Sequence, residues 1–356
     1  TAQYLTGKKK IKIPQIRRKS KEKIIVTGAR ENNLQNITVH FPLNSMTVVT
    51  GVSGSGKSTL VKKILYPALQ RELGVFIEKP GQFNKLEGNY GSVKHVEFID
   101  QNPIGRSSRS NPVTYIKAYD DIRALFASIS LSKMRNYQAK HFSFNVDGGR
   151  CDTCKGEGTV TIEMQFMADV ILQCDHCKGK RFKKEVREVQ FEGKSIDAIL
   201  KLTVDDAIMF FEKHRQAKLV KKLAPLQKVG LGYVSLGQSS TSLSGGEAQR
   251  IKLATFIGKG DHRDKILFIF DEPTTGLHFH DVNKLLTSFD ALLEKGHSLV
   301  VVEHNIDLIK CADHIIDLGP EGGNKGGLLL GEGTPEELSK IKKSFTGNYL
   351  KRKLNF

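Results

Sequence analysis

Nine residues, Gly51-Val-Ser-Gly-Ser-Gly-Lys-Ser-Thr59, constrain this chain more than any others. An apolar, β-branched run, Met46-Thr-Val-Val-Thr50, precedes them, and a helical pattern, Leu60-Val-Lys-Lys-Ile-Leu65, follows. Strand, glycine loop and helix in that order are the setting a phosphate-binding loop requires. Gly51, Gly54 and Gly56 let the backbone bend tightly enough to aim several N–H groups at one anion. The helix N-terminus adds about half a positive charge there. In such a loop Lys57 reaches the β- and γ-phosphates of a nucleotide, and Ser58 ligates Mg²⁺. A Gly/Ser turn that fits by coincidence is the bland alternative, and strand, helix, lysine and serine together argue against it.

The chain has 356 residues, enough for two or three lobes. It begins at Thr1 rather than Met, which suggests a fragment or processed chain. No apolar run approaches the roughly 20 residues of a membrane span, and no signal peptide is visible. The expectation is a soluble, cytoplasmic protein with no membrane partner. Formal net charge is +17, which favours a polyanion such as nucleic acid, although surface lysine alone can produce it.

Residues 1–23 carry nine Lys/Arg against one acid, Glu22, and read as a linker or an arm on something anionic. Ile24–Val26 and Ile37–Phe41 read as paired strands leading to the loop strand, and His95–Asp100 as another, ending at Gln101. Residues 102–150 hold eight Lys/Arg (Arg106, Arg109, Lys117, Arg123, Lys133, Arg135, Lys140, Arg150) against three acids. Tyr137, Phe142 and Phe144 are interleaved with them. Bases among aromatics suit a nucleic-acid groove; the alternative is that the phenylalanines are core and the bases solvated.

Cys151-Asp-Thr-Cys154 and Cys174-Asp-His-Cys177 stand 19 residues apart. That spacing matches a tetrahedral Cys₄ zinc site. A dithiol redox pair is the alternative, but no thioredoxin-like pattern surrounds it. His176 reads as an exposed knuckle residue, since four sulfurs already close a structural site. Lys178, Lys180, Arg181, Lys183, Lys184 and Arg187 suggest that the knuckle faces phosphate.

Further on, Thr203 reads as a helix N-cap, and Lys213 to Lys228 as one basic helical stretch. Leu243-Ser-Gly-Gly-Glu-Ala-Gln-Arg250 opens a helix with two exposed-amide glycines and the Ser244 hydroxyl, a second phosphate-binding surface. Ile266–Phe270 is a buried parallel strand ending in Asp271-Glu272. Asp271 can hold the Mg²⁺ shell and Glu272 can polarise water. Val300-Val-Val-Glu-His304 reads as a similar strand ending in a histidine, His304, a candidate γ-phosphate sensor. His314–Leu318 and Gly327–Gly331 close the sheet, and Thr334-Pro-Glu-Glu337 is a capping box.

The signature at 243–250, the glycine loop, the Asp-Glu strand and the late histidine resemble an ABC-type ATPase. About 185 residues separate loop from signature, and that insertion contains the four cysteines. Gly28-Ala-Arg-Glu-Asn-Asn-Leu34, Gln101-Asn-Pro-Ile-Gly-Arg106, Arg109-Ser-Asn-Pro112, Phe142-Ser-Phe-Asn-Val146, Gly148-Gly-Arg-Cys151, Asp271-Glu-Pro-Thr-Thr-Gly-Leu-His278 and Asp317-Leu-Gly-Pro-Glu-Gly-Gly323 closely resemble the UvrA family of bacterial nucleotide excision repair. The similarity runs from about residue 1 to 340. It corresponds to the C-terminal of that family's two ABC modules.

The resemblance implies an α/β fold: an ABC-type P-loop ATPase module with an inserted signature lobe carrying a Cys₄ zinc knuckle. It implies a basic arm at 1–23, core segments at 24–103 and 247–345, an insertion at 104–246 with the zinc module at about 145–185, and a tail at 346–356. ATP and Mg²⁺ would bind Gly51, Ser53, Gly54, Ser55, Gly56, Lys57, Ser58, Thr59 and Asp271. Ser58 would ligate the magnesium. Glu272 would be the catalytic base, Gln101 the coupling glutamine and His304 the γ-phosphate contact. Ser244, Gly245 and Gly246 would complete the ATP site of a second module, within one protein or a homodimer. Zn²⁺ would sit on Cys151, Cys154, Cys174 and Cys177. Double-stranded DNA would meet Arg106, Arg109, Lys133, Arg135, Lys140 and Arg150. UvrB would bind through the family's other half, and no nuclease site is implied.

One departure concerns the base. Many ABC modules place an aromatic about 25 residues before the loop to stack on adenine. None stands near Val26, so either Arg30 stacks or base selectivity is loose. A UvrA-like paralogue in drug self-resistance, and a zinc-dependent nucleic-acid module with a weak nucleotide site, remain open. The zinc insertion and the charge argue against a transporter ATPase.

Overall fold

The computed structural model describes residues 9–76, 78–105, 107, 109–164, 169–258 and 264–354. Arg106 lies outside them. The chain divides into two compact units, Thr1–Gln101 with Lys259–Phe356, and Asn102–Gly258. The division places the helix Gly245–Gly258 with the inserted segment rather than with the core segment expected at 247–345.

The first unit is built on a six-stranded sheet. Its strand order is Leu328–Gly333, His314–Gly319, Met46–Gly51, Ser298–Val302, Ile266–Asp271, His95–Ile99. All neighbours are parallel except Leu328–Gly333, which runs antiparallel at one edge. Met46–Thr50, Ile266–Phe270 and Ser298–Val302 are buried throughout, as the unbroken apolar runs of a covered parallel sheet require. The loop strand Met46–Gly51 lies between His314–Gly319 and Ser298–Val302. The phosphate loop therefore leaves the carboxyl edge of the sheet away from either end, where ligands of open α/β sheets bind.

A second, antiparallel sheet pairs Ile37–Pro42, Lys23–Ala29 and Lys85–Gly88. Its inward residues Ile24, Val26, Val39 and Phe41 join Leu60, Ile64, Val49 and Val300 in one buried cluster. The strands expected to lead into the loop strand thus form their own sheet over the post-loop helix. That helix is wound in π form over Thr59–Leu65 and in α form over Tyr66–Glu72. The amphipathic helix Phe279–Glu294 buries Val282, Leu285, Phe289 and Leu292.

Two arginines of the basic arm, Arg17 and Arg18, pair with carboxylates of this chain. From Lys9 onward the arm carries buried Ile11, while Arg17 donates to Glu336 (2.7 Å) and to the Ala312 carbonyl (2.9 Å). Arg18 donates to Asp290 at 2.9 Å. The tail is a helix, Phe345–Lys353. Its start is tied to the sheet by Asp317, whose carboxylate is 1% exposed and accepts hydroxyls from Thr50 (2.7 Å), Ser344 (2.6 Å) and Thr346 (3.0 Å).

In the second unit Thr203 caps Val204–Lys213 by accepting from the Asp206 N–H. The basic stretch to Lys228 is not one helix. It breaks at Arg215, with φ +57°, and resumes as Ala217–Lys228. These helices pack in series with Gly245–Gly258. Phe142 and Phe144 are fully buried, with Tyr119 stacked on Phe144 at 4.8 Å and donating to the Phe142 carbonyl at 2.7 Å. The aromatics between the basic residues therefore include core rather than a stacking surface for bases. Among the described residues no helix is long and apolar enough to cross a membrane.

Asp317→Ala removes the acceptor of three hydroxyls at a buried site. It should lower the unfolding free energy by about 2–4 kcal/mol in urea titration, with Asp317→Asn milder.

Candidate functional site: a phosphate loop, a carboxylate edge and a cysteine cluster

The loop's shape depends on missing side chains. Gly51 has φ +135°, and a Cβ there would come within 2.1 Å of the Leu318 carbonyl. At Gly56, φ +104°, a Cβ would press on Leu34 at 2.7 Å. Asn33 fastens the loop from outside: its Nδ2 donates to the Gly54 carbonyl (2.8 Å) and the Gly323 carbonyl (3.0 Å). The Gly323 N–H donates to the Gly54 carbonyl at 3.1 Å. Asn32 Nδ2 donates to Thr59 Oγ1 at 3.2 Å. Gly322 packs close to Ser53: a Cβ there would come within 2.5 Å of the Ser53 carbonyl. Ser55 is fully buried, and Ser58 opens the helix.

Lys57 Nζ donates to the carbonyls of Gly51 (3.0 Å) and Val52 (2.8 Å). Burial holds its ammonium below the usual lysine range, against the opposing charges of Glu272, Asp317 and Asp271. Burial, then the neighbouring Glu272 charge, raises the Asp271 carboxyl. Glu272 lies just past the strand end with φ +46°, an uncommon backbone for a non-glycine residue. Gln101 Nε2 donates to the Glu272 carbonyl at 3.1 Å, and Glu272 Oε1 lies 3.7 Å from His304 Nε2. Burial, then the Lys57 charge, pushes His304 below the usual histidine range, so it is neutral at pH 7. Lys57, Asp271, Glu272, Gln101 and His304 thus occupy one edge of the sheet.

Glu303 escapes a motif-based reading. It is 3% exposed, and its carboxylate accepts from the Thr274 N–H (2.8 Å) and hydroxyl, and from the N–H groups of His304 (2.6 Å) and Asn305 (2.8 Å). It locks the segment after Glu272 to the His304 loop. The available signal was an acid at the end of a wholly buried strand.

In the second unit, Ser244 and Glu247 form a reciprocal cap at the start of Gly245–Gly258. Glu247 accepts from Ser244 N–H (2.8 Å) and Oγ (3.0 Å), and the Glu247 N–H returns to Ser244 Oγ (3.3 Å). Burial would raise the Glu247 carboxyl, but hydrogen bonds from Tyr233 (2.7 Å) and Ser244 outweigh it and hold it below the usual range. Arg250 Nε donates to the Gly246 carbonyl at 3.2 Å, so Gly245 and Gly246 sit on a fixed helix start.

Cys151, Cys154, Cys174 and Cys177 are buried, with their sulfurs within 4.8 Å of one another. Sγ–Sγ separations are 4.0 Å for Cys151–Cys174 and 3.6 Å for Cys154–Cys177. A tetrahedron of zinc–sulfur bonds has edges of about 3.8 Å, whereas a disulfide needs about 2.05 Å. Lys155 and Lys178 adopt φ +49° and +48°, followed by Gly156 and Gly179 at +84° and +74°. The backbone therefore turns back after each pair, and the Gly158 N–H reaches Cys154 Sγ at 3.2 Å. Burial pushes the Cys154 thiol up to about 12, whereas at Cys174 burial is outweighed by backbone hydrogen bonds, which hold that thiol below its usual range. The donor set fits zinc. His176 is exposed. Of the bases around the knuckle, Arg181 is spread over the Phe144 ring (5.4 Å) and Lys183 pairs with Asp152 (2.8 Å), so these two are engaged within the unit.

Three of the DNA candidates also have carboxylate partners: Arg109 with Glu157 (3.2 Å), Arg135 with Glu188 (2.7 Å) and Arg150 with Asp147 (2.7 Å). Lys133 and Lys140 are exposed, and among the described residues neither is found in an ion pair.

Purified under reducing conditions, the protein should carry about one zinc per chain by elemental analysis. Cys174→Ser should lose that metal and lower the thermal midpoint of the second unit.

No protein-family profile matches the chain. Among curated proteins it is 52% identical over 355 residues to UvrABC system protein A of Clostridium perfringens, covering 99% of this chain and 37% of that protein. The Staphylococcus aureus (strain COL) protein of the same name is 51% identical over 355 residues, with the same coverage. The crystal structure of UvrA2 from Deinococcus radiodurans superposes with a TM-score of 0.89 at 42% identity, covering 98% of this chain and 42% of that one. The chain spans about 37% of the length of the curated relatives it matches. Half its residues or more are shared with those curated relatives over nearly its full length, and on that ground the chain belongs to the UvrA family, of whose full-length members it spans a part.

Proposed function

We propose that this chain is one ABC-type ATPase module of a nucleotide excision repair protein. The convergence of Lys57, Asp271, Glu272, Gln101 and His304 on one sheet edge carries the reading. ATP is the substrate, its phosphates cradled by Gly51, Ser53, Gly54, Ser55, Gly56 and Thr59. Ser58 and Asp271 would hold Mg²⁺, which neutralises charge on the phosphate oxygens. Water attacks the γ-phosphorus in line. As the new P–O bond forms and the bond to the bridging oxygen of ADP breaks, Glu272 takes the water's proton. Gln101 positions that water. Neutral His304 donates its N–H to the γ-phosphate, and Lys57 offsets the charge that remains.

Ser244, Gly245 and Gly246 act on the nucleotide of a second module, in the same protein or a second copy, by offering hydroxyl and amide donors at a helix start. The second unit binds double-stranded DNA. It carries 25 Lys/Arg against 16 Asp/Glu, and exposed Lys133 and Lys140 are its leading contacts. Zinc on the four cysteines supplies a structural cross-link in that unit. In the full-length protein, hydrolysis would be coupled to damage recognition, and UvrB loading would use the part that this chain does not span. The setting is cytoplasmic.

Glu272→Gln should leave ATP affinity within about threefold and cut turnover by about 10²–10⁴, measured in the protein reassembled with its second module. DNA affinity should fall by about 10³ between 50 and 200 mM salt if some six phosphates are neutralised. A flat salt response would remove the basic surface from the reading.

A further inference from the structure

We propose that Arg181 is a positioning residue for the metal: its guanidinium offsets the net negative charge of Zn²⁺ on four thiolates and so sets how tightly the cysteine cluster binds it; this rests on the zinc reading above. A divalent cation on four thiolates leaves a centre of net negative charge among buried sulfurs. Charge in such a place is costly unless an opposite charge lies beside it. Arg181 is tied to both cysteine pairs through its backbone. Its carbonyl accepts from the Cys151 N–H at 2.8 Å, and its N–H lies against the Cys177 sulfur. Its φ of +69° is uncommon for a residue that has a side chain. The stem then runs past Gly158, where a Cβ would lie 3.2 Å from Arg181 Cγ. The N–H of that same glycine donates to Cys154 Sγ at 3.2 Å, so arginine stem and ligand sulfur share one stretch of backbone.

The guanidinium itself is half-buried, its carbon 5.4 Å from the centre of the Phe144 ring. The groups that could neutralise it are engaged elsewhere. Glu157, three residues past Cys154, accepts from Arg109 at 3.2 Å. Tyr119 donates its hydroxyl to the Phe142 carbonyl at 2.7 Å. Among the described residues Arg181 forms no ion pair, and its Nη1 is buried without a hydrogen-bond partner. Lys183, two residues on, is paired with Asp152 at 2.8 Å. Burial disfavours the charge on Arg181, and the charges of Tyr119, Cys154, Cys177 and Glu157 favour it. Two of those four groups are sulfurs of the cluster. A cation in a partly apolar seat, with one donor unmet and no carboxylate of its own, is accounted for by an anionic neighbour, and the thiolates are that neighbour. The plainer role is packing, a stem and a flat head filling space over Phe144. The two roles part where a substitution keeps the bulk and loses the charge.

The test measures the zinc dissociation constant of the 356-residue chain by competition with a chelator at fixed pH, with thermal melts of every variant in zinc and in excess chelator. Arg181→Met keeps the bulk and loses the charge, and should weaken zinc binding about 10-fold to 100-fold. Arg181→Lys keeps the charge and should stay within about threefold of the unaltered chain. Glu157→Gln removes a negative charge from the same surroundings and should tighten zinc about threefold. That variant leaves Arg181 in place, so it decides the matter even where Arg181→Met fails to fold. Unchanged affinity in Arg181→Met, or equal losses in Arg181→Met and Arg181→Lys, would make Arg181 a packing residue and overturn the proposal. No tightening in Glu157→Gln would overturn it as well. Failure of the unaltered chain to take up zinc would instead defeat the zinc reading itself.

Discussion

The glycine loop after the strand Met46–Gly51 is shaped by a close approach between two backbones. Gly51 leaves its strand at φ +135° with the Leu318 carbonyl where a Cβ would otherwise be. The adjacent strands Met46–Gly51 and His314–Gly319 are held in that register by Thr50 donating to Asp317. Asp317 also gathers the two hydroxyls at the start of the tail helix. One buried carboxylate therefore sets the register of the loop strand and anchors the C-terminal element. Its cost of burial is offset by three hydroxyl donors. Loop geometry, sheet register and tail position are consequences of the same contact.

A second buried carboxylate does comparable work on the other side of the loop strand. Glu303 accepts from Thr274, His304 and Asn305. The segment after Glu272 and the loop bearing His304 cannot move independently while those bonds persist. Glu272 is set in a left-handed backbone, with its N–H on the Val302 carbonyl and its own carbonyl accepting from Gln101. Such a conformation costs of order 1–3 kcal/mol and survives where neighbours over-determine it. Here the neighbours are the adjacent strand, Gln101 and the Glu303 lock.

What could be read from the chain beforehand was what is local in it. The phosphate loop, the Asp-Glu strand end, the two cysteine pairs and the caps at Thr203 and Thr334 each lie within a few residues. Asn33, Asp317 and Glu303 were missed for the opposite reason. Asn33 meets Gly323 across 290 residues and Asp317 meets Thr50 across 267, and nothing in a polar turn or strand announces such a partner. The break at Arg215 was hidden because a left-handed non-glycine residue leaves no mark in helical periodicity. Whether Phe142 and Phe144 stack on nucleic-acid bases or belong to the core stayed open in the sequence, because basic residues and aromatics alternate equally in a groove and in a core seam. Burial separates the two, and it depends on Tyr119, Phe126 and Phe182, which stand up to about 40 residues away.

The cysteine cluster shows why the second unit needs a cross-link. Between the two pairs the chain forms a ribbon of two four-residue strands, Thr159–Ile162 and Val170–Gln173, in antiparallel register. Val160 faces Leu172 and Ile162 faces Val170, and all four are 39–50% exposed. A lone two-stranded ribbon with an uncovered apolar face does not hold itself in water. Its feet, however, are joined at the sulfurs. Cys174 follows the second strand directly, its N–H donates to the Gly158 carbonyl at 3.0 Å, and the Gly158 N–H donates to Cys154 Sγ. A cation bound to the four thiolates would close the loop at its base, and the free energy of binding it would then help hold the ribbon. With the base so closed, the ribbon would hold without a cover on its apolar face.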